Sequence, residues 1–172
     1  MDVLSSYPKS SGRACKIQID HIDSGDIVCS LKSQVSSGGV IGIFLNTIRK
    51  AQQLYDELNQ SYSNLNTILI HSAFMAVDRT EKEAFLLNVA GGKRNAIHDT
   101  VIVIGTQVME QSLDIDFDIM YTDIAPMDLI IQRMGRLHRH NLKRPAIYEI
   151  PKCIVLDSGN GEFDPGSEAV YG

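Results

Sequence analysis

Residues 101–105, VIVIG, are consecutive apolar positions with polar neighbours, and so short an unbroken run reads as a strand buried on both faces of a parallel sheet. A strand with one wet face would alternate. The same signature recurs at 40–45 (VIGIFL) and 65–70, with a shorter run at 119–121. Three of these runs stop at once in small polar residues: Asn46-Thr47, His71-Ser72 and Thr106-Gln107. Between them lie segments at helical spacing. One follows Asn46 or Thr47 as N-cap and carries Ile48, Ala51, Leu54, Tyr55 and Leu58; another, 78–89, is stopped by Gly91-Gly92. Strand, polar cap and helix in repeated alternation predict an α/β fold, a parallel sheet with helices on both faces in three layers.

The flanks carry weaker signals. An edge strand is expected at 16–21 (KIQIDH), a short helix at 25–35, further strands at 146–150 and 153–156, and a turn-rich loop at 159–166. Residues 1–37 read as an arm or connector leading into one domain at 38–172, cut from a larger protein.

Net charge of -5 and a pI near 5.5 exclude bulk attraction to nucleic acid, so any such contact needs a local patch. Residues 132–144 provide one, with five Lys or Arg, two His and no acid. Cys15, Cys29 and Cys153 lie far apart, which suits reduced thiols rather than a metal site or a disulfide frame. With no signal-type or membrane-length apolar run, the reading is a cytoplasmic protein without a membrane partner.

Ala125-Pro126-Met127-Asp128 opens a helix expected to carry Arg133, Arg136 and Arg139 three residues apart, on one side if helical geometry persists. No acid lies between Leu129 and Arg144, so the arginines lack i,i+4 partners. Gly135 among them leaves room for a backbone or ligand to come close. Fixed guanidinium forks suit phosphate oxygens.

QRMGRLHR at 132–139 resembles motif VI of superfamily 2 helicases, Q/H-R-x-G-R-x-x-R, and GTQVMEQSLDID at 105–116 resembles their motif V. Joined to APMDLIIQRMGRLHRH, the pair is most similar to the CRISPR-associated helicase-nuclease of type I interference systems. The resemblance covers about residues 38–172, more faintly at both ends. It implies the second RecA-like domain of a helicase.

The resemblance and the chemistry together assign roles. Arg136 and Arg139 are expected to be arginine fingers, stabilising charge on a transferring γ-phosphoryl group. Asp114 would accept a ribose hydroxyl, and Gln132 and Gly135 would border the nucleotide. Arg133 could instead pair with an acid, while Asp116 and Asp118 read as surface residues and His138 and His140 as poor metal-ligand candidates. Asn46, Thr47, His71, Ser72, Thr106 and Gln107 would follow the backbone of single-stranded DNA along one sheet edge.

The chain has no G-x-x-x-x-G-K-[ST] loop and no D-E-x-D/H stretch. ATP with Mg2+ is therefore expected to be held mainly by a first RecA-like domain, and this fragment alone to be inactive. The resemblance further implies an HD nuclease domain and a CRISPR RNA-guided target-recognition complex as partners. Two rival readings are the matching domain of another superfamily 2 RNA or DNA remodeller and a catalytically silent docking module.

Overall fold

The computed structural model describes residues 16–62, 65–72, 76–94, 99–110 and 113–157. Six strands form one parallel sheet: β1 (Gln18–Asp23), β2 (Gly39–Phe44), β3 (Asn66–Ile70), β4 (Thr100–Gly105), β5 (Ile119–Asp123) and β6 (Lys152–Asp157). Their spatial order is β1-β6-β5-β2-β4-β3. The helices are α1 (Ile27–Lys32), α2 (Ile48–Ser61), α3 (Ala76–Ala90) and α4 (Met127–Met134). This is the three-layer α/β/α arrangement the alternation predicts, and it fits the RecA-like domain the motif resemblance implies.

β2, β4 and β5 are buried at every residue, which is why they read as unbroken apolar runs. Alternate residues feed two cores. Val40, Phe44, Val101 and Val103 join Leu86 and Ala90 of α3 on one face. Ile41, Ile43, Ile102 and Ile104 meet Leu31 of α1 and Ala51, Leu54 and Leu58 of α2 on the other. Thr47 caps α2, its Oγ1 accepting from the Lys50 N–H at 3.3 Å, a contact worth about 1 kcal/mol. Gly42 has a packing reason: a Cβ there would come within 2.6 Å of the Phe117 ring, which packs edge-on to Phe44.

From β2 the chain first builds one side of the sheet (β3, β4) and then the other (β5, β6). The carboxyl ends of β2, β4 and β3 are neighbours, so the three polar pairs do share one edge. β1 pairs with β6, and α1 packs on the sheet, so residues 18–32 belong to the same body as the strands that follow.

Two expectations are corrected. α4 ends at Met134, well short of Arg139. The strand expected at 146–150 is a single 3₁₀ turn, Ala146–Tyr148, entered from Pro145 at φ −55°, and Tyr148 is buried beneath the sheet edge beside Gly39. Residues 1–15 of the arm expected at 1–37, and the loop expected at 159–166, lie outside the described residues. Among the described residues no helix is long and apolar enough to cross a membrane.

Candidate functional site

At the end of α4 the chain is captured by another segment. The Gly135 N–H closes the helix on the Ile131 carbonyl. The Phe117 N–H then donates to the Arg136 carbonyl and the His138 N–H to the Phe117 carbonyl, so residues 136–138 run alongside Phe117 as a strand would. His138 adopts φ 48°, the left-handed conformation that turns the chain outward. The three arginines therefore do not share a helix face.

They share something else: each holds the 107–118 segment at a successive point. Arg133, fully buried, pairs with Glu110 at 2.7 Å and donates to Thr122 Oγ1 at 2.8 Å. Arg136, half-buried, donates to the carbonyls of Glu110 and Leu113. Arg139 pairs with Asp114 at 2.8 Å, the two side chains 40% and 57% exposed. The expectation of unpaired guanidinium forks is thus corrected: the partners come from another segment, where no helical spacing rule could show them. Burial first, and then the neighbouring Arg139 charge, lower the pKa of Arg136.

Asp114 also accepts from His140, whose Nε2 lies 2.9 Å from the same Oδ1. The His140 hydrogen bond chiefly, with the charges of His140 and Arg139, outweighs desolvation and holds the Asp114 carboxyl below the usual carboxylate range. This cluster borders a recess of about 370 Å³ lined by Leu87, Gly91, Gly92, Lys93, Asp114 and His140. Its wall carries the Asp114 carboxylate, and the partly exposed guanidinium of Arg139 pairs with that carboxylate. A carboxylate that accepts hydroxyls next to a guanidinium that binds phosphate oxygens fits the edge of a nucleotide.

Behind the recess lies a buried charge cluster. Asp116 and Asp118 are 0% and 1% exposed, which corrects the expectation of surface residues. Arg144 reaches Asp116 at 2.7 Å and Asp118 at 2.5 Å, and Arg94 reaches Asp118 at 2.7 Å. Asp118 also accepts from the Val40 N–H and Asp116 from the His140 N–H. Burial alone would lower the Arg144 pKa; the two carboxylates reverse it and raise it. The sequence signal was present: Ile115, Phe117 and Ile119 alternate with the acids, as on a strand, and Arg94 and Arg144 stood without local partners.

The carboxyl edge of the sheet is differently built. Asn46 is buried; its Nδ2 donates to the Ile124 carbonyl, its N–H to Asp123, and its Oδ1 accepts from Arg133. It closes the crevice between the ends of β2 and β5, where the strand order turns from one side to the other. His71 and Thr106 are buried as well, whereas Thr47 and Gln107 are half-buried and Ser72 is exposed. Lys50 lies 3.5 Å from Asp123, whose pKa is raised by burial against the pull of the Asn46 N–H and Lys50. Gln132 and Gly135 are exposed. What approaches Gly135 is its own helix: a Cβ would stand 3.1 Å from the Gln132 carbonyl oxygen. Among the described residues no group of three or more His, Cys, Asp or Glu is placed to hold a metal ion.

Sequence reasoning missed four supporting residues: Glu110, Arg94, Arg144 and, at the recess itself, His140.

Residues 37–142 match the family described as CRISPR-associated nuclease/helicase Cas3, C-terminal. The Cas3 nuclease/helicase of Streptococcus thermophilus is 43% identical over 157 residues, 91% of this chain but 17% of that protein. The crystal structure of T. fusca Cas3 with AMPPNP superposes at a TM-score of 0.85 and 29% identity, over 96% of this chain and 21% of that one. A chain in a CRISPR RNA-guided surveillance complex, pre-nicking, superposes at 0.80 and 26% identity, over 98% of this chain and 22% of its own length. The chain therefore spans only about a fifth of the proteins it matches. Taken with a RecA-like sheet whose motif V and motif VI residues interlock, these matches show that the chain belongs to the C-terminal family of the CRISPR-associated nuclease/helicase Cas3.

Proposed function

We propose that this domain is the second RecA-like half of an ATP-dependent DNA helicase of type I CRISPR interference. The observation that carries the reading is the meeting of Asp114 and Arg139, 2.8 Å apart on an accessible surface, from two segments 25 residues apart in sequence. A first RecA-like domain would hold the body of ATP and its Mg2+, and hydrolysis of that ATP supplies the free energy for movement. The T. fusca relative, solved with AMPPNP, is consistent with a nucleotide at this level of the family.

In this reading Asp114 accepts a ribose hydroxyl, and Gln132 and Gly135 border the nucleotide. Arg139 rests on Asp114 while the domains are apart and exchanges that carboxylate for phosphoryl oxygens on closure. Arg136, with two of its N–H groups committed to the Glu110 and Leu113 carbonyls, holds the loop and offers its remaining donors to the same oxygens. Thr47, Ser72 and Gln107 follow a single DNA strand along the carboxyl edge, with Asn46, His71 and Thr106 supporting them from beneath. The arginine ladder at 133, 136 and 139 ties that edge to the nucleotide, so closure on one is felt at the other. The whole protein would add an HD nuclease domain and act in the cytoplasm with a CRISPR RNA-guided target-recognition complex.

The test is DNA-stimulated ATPase of the full-length protein. Arg139→Ala should reduce kcat by about 10³ or more, as loss of an arginine finger does, and Arg139→Lys should not restore it. Turnover within about threefold of the parent in both variants would reject the finger.

A further inference from the structure

Asp114 stands on an exposed loop, and both contacts to its carboxylate converge on one oxygen, Oδ1. One comes from Arg139, a side chain 40% exposed. If Arg139 leaves for phosphate, only the second contact keeps the carboxylate aimed. That contact is His140, and it is fastened on three sides. Its N–H donates to Asp116 Oδ2 at 2.5 Å, and its carbonyl accepts from Arg144 Nη2 at 2.9 Å. Its ring lies against Gly92, where a Cβ would come within 2.5 Å of Cδ2 and Nε2. Asp116 is wholly buried and held by Arg144 at 2.7 Å, so His140 is anchored in the interior, where the exposed Asp114 is not.

Gly92 sharpens the point. Its φ is not positive, unlike that of Gly38 and Gly39, so the backbone there would accept any L residue. What the missing side chain makes room for is the ring of His140. A histidine also keeps an N–H for the carboxylate in either charge state, provided the Nε2 tautomer is the neutral form.

We propose that His140, seated in the space left by Gly92 and anchored through Asp116 and Arg144, is the positioning residue that keeps Asp114 aimed at the nucleotide's ribose when Arg139 departs. This rests on the reading of Asp114 as a ribose contact.

The experiment is DNA-stimulated ATPase of the full-length protein with ATP, 2′-deoxy-ATP and 3′-deoxy-ATP, in the parent and in Asp114→Ala, His140→Ala, His140→Gln and Gly92→Ala. A carboxylate bond to a hydroxyl should give the parent a preference of about tenfold for ATP over one deoxy analogue in kcat/KM. His140→Ala and Gly92→Ala should lower that preference to within about threefold, through KM for ATP and with kcat little changed. Gly92→Ala displaces the ring without altering any polar group, so it carries the test even if His140→Ala fails to fold. His140→Gln, which retains an N–H donor, should recover most of the preference. If Asp114→Ala abolishes the preference while Gly92→Ala and His140→Ala keep the parent value, the positioning role is overturned and the ribose contact stands. If Asp114→Ala also keeps the parent preference, both fall.

Discussion

Arg133 and Glu110 form an ion pair at 2.7 Å with side chains only 0% and 8% exposed, joining α4 to the 3₁₀ turn that follows β4. The same guanidinium donates to Thr122 and lies 5.6 Å from the Phe44 ring centroid. An arginine inside the motif VI pattern thus serves the interior of the domain, while Arg136 and Arg139, beyond the helix end, are partly exposed.

Arg133→Ala leaves Glu110 as a buried carboxylate without its cation. The expected loss of stability is about 3–5 kcal/mol, read from urea denaturation midpoints. Arg133→Lys should recover little, because an ammonium cannot serve Glu110, Thr122 and Asn46 at once. A loss below about 1 kcal/mol in either variant would contradict the assigned role.

His138 links stability to pH. Burial first, and the nearby Arg144 second, lower its pKa, against opposing pulls from Asp118 and Asp116. A base with a folded pKa below its unfolded value binds its proton better when unfolded. Its contribution is therefore complete above about pH 6.5 and is lost as pH falls through the folded value. His138→Asn, which tolerates the left-handed backbone at φ 48°, should flatten this acid limb. Denaturation midpoints between pH 7.5 and 5 are the measurement, and parallel curves for parent and variant would count against it.

Cysteine chemistry separates two thiols. Cys153 is fully buried in β6, and burial, opposed by the Arg133 charge, pushes its pKa up to about 11. Cys29 on α1 is exposed. Iodoacetamide at pH 8 should modify Cys29 within minutes and leave Cys153 intact until the domain unfolds, as peptide mass mapping would read. Equal labelling of the two in native protein would argue that β6 opens readily.

The isolated domain should turn over no measurable ATP. It should bind single-stranded DNA weakly, with affinity falling steeply between 50 mM and 200 mM salt through counterion release. Steady hydrolysis by the purified fragment would mean that it holds a phosphate cradle of its own.

The sequence made the sheet legible because β2, β4 and β5 are dry on both faces and so carry unbroken apolar runs. Thr47 and Gly91 marked a helix start and a helix end for local reasons, a cap and a stop. What failed was local reasoning about groups whose partners are remote. The 3-residue arginine spacing suggested a continuing helix, but backbone bonds with Phe117 outcompete it beyond Gly135. Asp116 and Asp118 looked solvated because nothing nearby in the chain could neutralise them; Arg94 and Arg144 do so from 24 and 26 residues away in the closest pairings. Asp114 and Arg139 were both named, but their contact, and the part of His140 in it, depends on the turn at His138. At 146–150 the Tyr148 N–H donates to the Pro145 carbonyl and the Glu149 N–H to the Ala146 carbonyl, so these donors close a 3₁₀ turn and not a ladder.

The outermost strand has an effect on how the protein is made. Among the described residues β1 takes its register only from β6, pairing Gln18 with Lys152 at one end and Asp23 with Asp157 at the other. A ribosome must therefore deliver almost the whole described chain before the first strand finds a neighbour. Until then, residues 18–23 offer unsatisfied amides to any other sheet they meet, so the interval between the synthesis of β1 and that of β6 is when a chaperone would matter most.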